Sequence, residues 1–311
     1  MSWLQYVKRD PVPWLLDPAN PCVRILTLRH IFKQSEEQLA GEKIAALNWK
    51  VVRSVLAQAT QGNLWGRFSN PYFAGPVGTF GTLYMLAQLG VPSAPGIQEA
   101  CENLLKYGRL ADGRFAPEEE GGAATWLCYT GIALQTLWHF GYKDDASLDL
   151  AWDAMIEAIL TQAEQLQRPV VNTGQRAGWV KALGALLSAP AGQQSEVSKQ
   201  AIMHLSQVFL NQSYDFSQRD ANWLRPTFPR YYETDLLELC HLIAQTPSRK
   251  HSRHQELLLR VVALQTEDGR WIKYRATPAF MEERINQPSR WLTFEAVHSL
   301  ILTYGGNTYA A

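Results

Sequence analysis

A turn that recurs about every 50 residues is the feature that most constrains the fold of this 311-residue chain. Residues 112–115 (Asp-Gly-Arg-Phe) and 268–271 (Asp-Gly-Arg-Trp) are near copies, and 62–65 (Gly-Asn-Leu-Trp) is a weaker one. The aromatic positions are 50 and then 156 residues apart, and 156 is three steps of 52. A fixed period of this length is typical of stacked repeat units. Two degenerate copies are therefore expected in between, at 165–169 and 220–223.

The ends of the apolar segments keep a similar spacing. An apolar stretch stops five times at glycine or proline, at Gly90, Gly141, Pro190, Pro247 and Gly305, with steps of 51, 49, 57 and 58 residues. Glycine just past a helix supplies a left-handed residue, and proline cannot continue a helix. Each repeat is therefore predicted to contain a turn, a first helix, a short link and a second helix.

The first helix of each repeat is apolar on nearly all faces, whereas the second is amphipathic. A helix that is apolar all round is buried between other elements, so the first helices form an inner layer. The predicted inner helices are 21–33, 76–89, 125–140, 175–188, 233–245 and 290–304. The predicted outer helices are 43–60, 95–107, 146–165, 195–212 and 250–266. Alternation with period two is nearly absent, so no sheet is expected.

Six inner helices with an outer layer can form a closed barrel or an open solenoid. An open stack needs polar capping repeats at its ends. The first unit (PWLLDPANPCVRILTLRHIF) and the last (PSRWLTFEAVHSLILTYGG) are both apolar. We therefore expect one all-α domain over 1–311, an (α/α)6 barrel (toroid) in which helices 21–33 and 290–304 pack together.

Charge and cysteine content narrow the class of protein. The chain has 29 Lys and Arg against 29 Asp and Glu, which argues against a nucleic-acid partner held by phosphate neutralisation. Its four cysteines form no CxxC pair, so a reducing compartment is expected. The N-terminus lacks the apolar run of a signal peptide, and the uncharged stretch 68–98 is broken by proline and glycine. The predicted location is cytoplasmic, without a transmembrane segment, and peripheral membrane contact stays open.

The turn at 265–271 (Gln-Thr-Glu-Asp-Gly-Arg-Trp), together with the paired helices, resembles the α/α-toroid superfamily of terpenoid cyclases and protein prenyltransferase β-subunits. Segments 223–239 and 288–293 are similar to bacterial squalene-cyclase-like or prenyltransferase-like proteins of one domain. The resemblance covers roughly residues 10–305. It implies an isoprenoid or similar apolar substrate, and an active site at the N-terminal ends of the inner helices.

The metal site that this resemblance implies is incomplete. In protein prenyltransferases an Asp-x-Cys pair and a later His bind zinc, and Asp235 matches the Asp while Leu237 stands in the Cys position. Cys240 and His241 come a turn later, and His298 lies in the last inner helix. A thiolate displaced by a turn moves about 4.5 Å, which no metal bond tolerates. We therefore predict neither a metal nor another cofactor.

The acid of squalene-type cyclases also has no counterpart. Their Asp-x-Asp-Asp motif is missing, as is the Asp-Asp-x-x-Asp motif of ionisation-type enzymes. The acidic pair at 144–145 precedes an outer helix, where carboxylates cap free N–H groups. We expect this pair to cap that helix.

The remaining ionisable cluster is at 228–235, just before an inner helix. Asp235 is the candidate acid or base, because a carboxyl group in a dry aromatic pocket gains a raised pKa. Glu233 and Tyr232 are further catalytic candidates. Arg230 is a candidate for holding a diphosphate, since its planar fork suits phosphate oxygens, and Arg176 is a second. The competing interpretation is that Asp235, or Thr234, only caps the helix.

Aromatic residues on the inner helices are candidates for lining a substrate cavity, where their faces would solvate an isoprenoid and stabilise a carbocation. They are Phe80, Tyr84, Trp126, Tyr129, Trp179, Tyr232 and Trp291. Ordinary core packing is the alternative for each. Two functions follow: an enzyme that cyclises, isomerises or dehydrates an apolar substrate by acid initiation, or a non-catalytic toroid that binds an apolar ligand or a protein partner.

Overall fold

The computed structural model describes residues 2–59, 65–67, 69–117, 123–167, 173–275, 283–305 and 309, and these ranges are all-α apart from one small strand pair. The α-helices are α1 (Val12–Leu15), α2 (Pro21–His30), α3 (Ala40–Asn48), α4 (Lys50–Ala57), α5 (Thr79–Gln88), α6 (Pro95–Tyr107), α7 (Ala123–His139), α8 (Asp149–Gln162), α9 (Thr173–Ser188), α10 (Glu196–Asn211), α11 (Leu236–Ala244), α12 (Ser252–Val262) and α13 (Arg290–Tyr304). Short 3-10 turns lead into several of them.

The six predicted inner helices correspond to α2, α5, α7, α9, α11 and α13. Their ends move by a few residues for local reasons. Helix α2 stops at His30, and Lys33 beyond it adopts a positive φ of 59°. Helix α11 starts at Leu236 rather than 233, because the Asp235 side chain accepts a hydrogen bond from the first turn.

The predicted outer helices correspond to α3 with α4, α6, α8, α10 and α12. The predicted helix 43–60 is in fact two helices, because Trp49 is extended, with ψ of 133°, between α3 and α4. No glycine or proline marks this break in the sequence. The predicted cap at 144–145 is confirmed for Asp145, whose carboxylate accepts from Ser147 N–H at the 3-10 turn before α8.

Consecutive inner helices are neighbours. Helix α7 packs along α9 and against α5, α11 contacts α9 and α13, and α13 contacts α2. The first and last inner helices therefore pack together as expected, with the His30 ring 5.9 Å from that of Phe294. Beyond the end of α5, the chain passes close to α2, since a Cβ added at Gly90 would lie 3.0 Å from the Leu26 side chain.

The recurring turns make the same contacts in different repeats. The indole N–H of Trp65 donates to Val55 C=O, and that of Trp271 donates to Val261 C=O, in each case ten residues back. The backbone N–H of Phe115 donates to the Thr130 hydroxyl of the following inner helix, and Trp271 N–H does the same to Thr293. Each turn thus fixes the end of one outer helix to the next inner helix.

A minimal sheet accompanies the last of these turns. Strand β1 (Trp271–Ile272) pairs antiparallel with β2 (Pro288–Ser289) directly before α13. The expectation of no sheet is wrong to this extent. Within the described ranges, no helix is long and apolar enough to cross a bilayer.

Candidate functional site

The segment between the turn at 221–224 and α11 runs into the space among the inner helices. Its Tyr232 ring lies 5.0 Å from Tyr129 of α7 and 6.3 Å from Phe80 of α5, parallel to Phe80. Phe228 stacks on Trp291 of α13 with ring centres 5.0 Å apart. This segment therefore contributes side chains to the interior, among them Tyr232, which the sequence analysis proposed as a cavity residue.

Arg230 is the central residue of this segment. Its guanidinium is only 2% exposed and donates to both oxygens of Asp235, at 2.7 and 3.1 Å, and to both oxygens of Glu295, at 2.8 Å each. Burial alone would lower the pKa of Arg230, but the carboxylates of Asp235 and Glu295 raise it well above its ordinary value. Arg230 is therefore a permanent cation held by its own chain.

The backbone of Arg230 is held as firmly as its side chain. The Arg230 N–H donates to Gln88 Oε1 at 2.9 Å, and Gln88 Nε2 donates to the Arg230 C=O at 2.5 Å. Gln88 is the last residue of α5 and precedes Arg230 by 142 residues in the sequence. Both backbone groups of a buried loop residue are thereby satisfied, as burial requires.

Asp235 is the N-cap of α11, as the competing interpretation held. Besides two hydrogen bonds from Arg230, its carboxylate accepts from Glu238 N–H at 2.9 Å and from Thr227 N–H at 3.2 Å. A carboxylate offers about four lone-pair directions, and all are used here. An acid or base role for Asp235 stays a prediction, but the group has no free direction for a substrate proton.

Two further charges lie beside this pair. Lys181 of α9, whose side chain is fully buried, donates to Glu238 at 2.6 Å and lies 5.4 Å from the centre of the Tyr84 ring. Burial alone would lower the pKa of Lys181, but the Glu238 carboxylate raises it above its ordinary value. Burial also raises the pKa of Tyr84 to about 12, so its hydroxyl stays protonated.

We call Lys181, Arg230, Asp235, Glu238 and Glu295 the charged cluster. Two cations face three carboxylates, so the cluster carries one excess negative charge when all are ionised. The pKa of Glu295 is raised, because burial outweighs the attraction of Arg230, and its side chain keeps 15% exposure. A proton on one carboxyl group would remove the excess negative charge, and burial favours that proton at Glu295.

A set of rings adjoins the charged cluster. We call Tyr72, Phe80, Tyr129 and Tyr232 the aromatic group, whose ring centres are 5.0 to 6.3 Å apart. Tyr84 follows Phe80 by one turn of α5 and leads to Lys181. Rings at these separations are in contact and attract one another, so the group forms one continuous apolar aromatic surface.

The other predicted cavity residues lie elsewhere. Trp126 lies under the Arg114 guanidinium, 4.8 Å from its ring centre, and Trp179 is a core residue with 4% exposure. Phe228 stacks on the Trp291 ring and covers one of its faces. Phe80, Tyr129 and Tyr232 are thus the predicted residues that the structure brings together, with Tyr84 beside them.

Two predicted polar residues are held by other partners. Arg176 forms a buried ion pair with Asp220 and lies over the rings of Tyr214 and Trp223. Glu233 is exposed and pairs with Arg275. Their roles in binding and catalysis stay predictions, and Arg176 would have to leave Asp220 to bind a diphosphate.

Three histidines lie deeper, between α2, α11 and α13. The His298 ring is 5.2 Å from both His30 and His241, and His241 Nδ1 lies 3.1 Å from the Ser299 hydroxyl. Burial lowers the pKa of His30 to about 4 and that of His241 to about 3. Across the described ranges, no group of three or more His, Cys, Asp or Glu has the geometry of a metal site.

The lowered pKa values of these histidines predict that the protein loses stability in mild acid. In the unfolded chain they bind a proton near pH 6.5, whereas the folded protein keeps His30 and His241 neutral until about pH 4 and 3. The free energy of unfolding is therefore expected to fall as pH drops from about 6.5 towards 4. Urea denaturation at several pH values measures this, and His30→Gln should flatten the curve. A wild-type curve that is level over this range would contradict it.

Two of the predicted repeat copies lie partly outside the described residues, namely 62–64 of the copy at 62–65 and 168–169 of the copy at 165–169. No family model matches the chain, and no curated protein is significantly similar to it. A functional proposal therefore depends on the geometry of the site.

Proposed function

We propose that the chain is a single-domain (α/α)6 barrel of the terpenoid-cyclase-like kind that acts on an isoprenoid or similar apolar molecule. The contacts of α13 with both α11 and α2, and the close approach of Gly90 to Leu26, support closure of the ring. The inner position of α5, α7 and α11 then places their side chains around one axis.

The observation that carries the proposal is that Tyr84, one turn of α5 beyond Phe80 of the aromatic group, lies 5.4 Å from Lys181 of the buried, acid-rich charged cluster. An apolar chain against these rings would be solvated, and a carbocation on it would be stabilised by their faces. A protonated carboxyl nearby can start such chemistry by giving its proton to an alkene carbon or a hydroxyl oxygen. A proton lost from a neighbouring carbon would then restore the acid.

Glu295 is the carboxyl group best suited to this step. Burial raises the pKa of Glu295 and so favours its protonated form, whereas the four hydrogen bonds that Asp235 accepts leave that carboxylate no free lone-pair direction. Arg230 then acts as a positioning residue, since it binds both oxygens of Glu295. Tyr84, whose pKa is raised to about 12, keeps its hydroxyl proton at neutral pH and is a second proton donor beside the charged cluster.

A non-catalytic binding protein is the second candidate, and one observation favours it. Arg230 is satisfied by two carboxylates of its own chain, and Tyr232 occupies space between Phe80 and Tyr129. A protein of this kind would hold an apolar ligand or a protein partner without changing it.

The location of the protein belongs to the same proposal. All four cysteines are free and buried, which supports a reducing compartment such as the cytoplasm. The balance of 29 basic and 29 acidic residues supports the view that nucleic acid is not a partner.

Native mass spectrometry after mild extraction tests ligand binding directly. The purified chain should retain a prenyl lipid or hydrocarbon, or bind added farnesol at one site. Phe80→Leu should lower the occupied fraction, because it removes a ring from the aromatic group. Phe140→Leu is the matched control, since Phe140 is equally buried but packs on His139. An empty wild-type protein that also fails to bind farnesol would contradict both the enzyme and the carrier of an apolar ligand, and would leave only the protein-binding form of the second candidate.

A further inference from the structure

A polar cleft opens where α2, α5, α7 and α9 end, beside Gln88, whose side chain holds the backbone of Arg230. Its volume is about 640 Å³, and its walls include the terminal residues His30, Gln88, His139 and Ser188. Small-molecule sites are typically about 300–1,000 Å³. The cleft is therefore large enough for a small ligand.

The rim of the cleft carries excess positive charge. Arg29 donates to both oxygens of Glu36, at 2.7 and 3.0 Å, and Lys43 pairs with the same carboxylate at 2.9 Å. Lys143, on the loop after α7, forms no ion pair with any residue that the structure describes. With three cations and one carboxylate lining it, the cleft has a net formal charge of +2.

The helix ends do not remove this excess. The C-terminal ends of helices carry partial negative charge, but its effect falls off within the last turn. Lys43 belongs to the outer helix α3 and Lys143 to a loop, so both charges lie beyond the termini of α2 and α7. An anion at the rim would meet these lysines first.

The inner wall offers a different kind of contact. Tyr84 and Trp138 line it, and both are nearly fully buried, so only an edge of each faces the cleft. The Ser93 hydroxyl on the same wall is buried and has no hydrogen-bond partner among the described residues. A buried hydroxyl of this kind gains from a ligand that accepts its hydrogen bond.

We propose that this cleft binds a small phosphorylated molecule. Its phosphate lies between Lys43 and Lys143, whose combined charge matches that of a phosphate dianion. Arg29, which shares Glu36 with Lys43, is free to turn one N–H towards the same oxygens. The rest of the ligand lies over Trp138 and bonds to Ser93. This site does not depend on the function of the aromatic group.

Calorimetric titration of the full chain with inorganic pyrophosphate at low salt tests the proposal. We expect saturable binding at one site, weakened at least about tenfold in the double variant Lys43→Gln/Lys143→Gln. The matched control is Lys106→Gln/Lys199→Gln, which removes the same charge from exposed lysines outside the cleft. Absence of saturable binding, or an equal loss in the control, would overturn the site, because only attraction to net charge would remain.

Discussion

The variant Arg230→Met is expected to lose about 3–5 kcal/mol of unfolding free energy, since removing one partner of a buried ion pair leaves an uncompensated charge. Arg230 is 2% exposed and binds both Asp235 and Glu295, so two carboxylates lose their main donor at once. Methionine keeps most of the side-chain volume, which confines the change to charge and hydrogen bonding. Urea denaturation at pH 7 measures the difference.

A matched variant and a rescue separate this effect from general damage. Arg9→Met removes an exposed arginine that pairs with Asp268, and exposed pairs contribute only about 0–1 kcal/mol. Adding Glu295→Gln to Arg230→Met should restore part of the lost stability, because a neutral amide replaces one unpaired carboxylate. If Arg230→Met is as stable as Arg9→Met, the charged cluster does not stabilise the fold.

The helical repeat could be predicted because its signals are local. Trp65 and Trp271 sit in turns whose residues recur, and each indole reaches a carbonyl only ten residues back. The break at Trp49 had no such signal, since an extended tryptophan between two helices is fixed by packing rather than by its neighbours in sequence. Propensity is a weak guide wherever tertiary contacts decide.

The charged cluster could be predicted only where its members are close in sequence. Arg230 and Asp235 are five residues apart and were singled out together. Lys181 and Glu238 are 57 residues apart, and Arg230 and Glu295 are 65 apart. In the sequence, Lys181, Glu238 and Glu295 therefore each appear as a charge in an apolar helix without a nearby partner. Such a charge is itself a signal, because a buried ion needs a partner from another helix.

The hydrogen bonds of Asp235 show why the sequence alone did not decide its role. A residue one position before an apolar helix can cap it or act in a pocket, and the sequence gives no means of choosing. The structure adds Thr227 and Arg230 as donors from the preceding segment, so the carboxylate is saturated. The carboxyl group with a raised pKa lies instead on α13, at Glu295.

Turnover of the proposed enzyme should therefore depend on Glu295 more than on Asp235. Glu295→Gln is expected to lower turnover about 100- to 10,000-fold, the usual cost of losing general acid catalysis. Its melting temperature should change little, because the amide has nearly the same shape as the protonated acid and is likewise uncharged. Asp235→Asn keeps a good N-cap, so its loss of turnover should be less than about tenfold.

In the wild type, turnover should fall as pH rises through the raised pKa of Glu295, since only the protonated acid can start the reaction. Both variants are assayed with an isoprenoid that the wild type turns over. If Asp235→Asn loses more turnover than Glu295→Gln while both keep their stability, Asp235 is the acid.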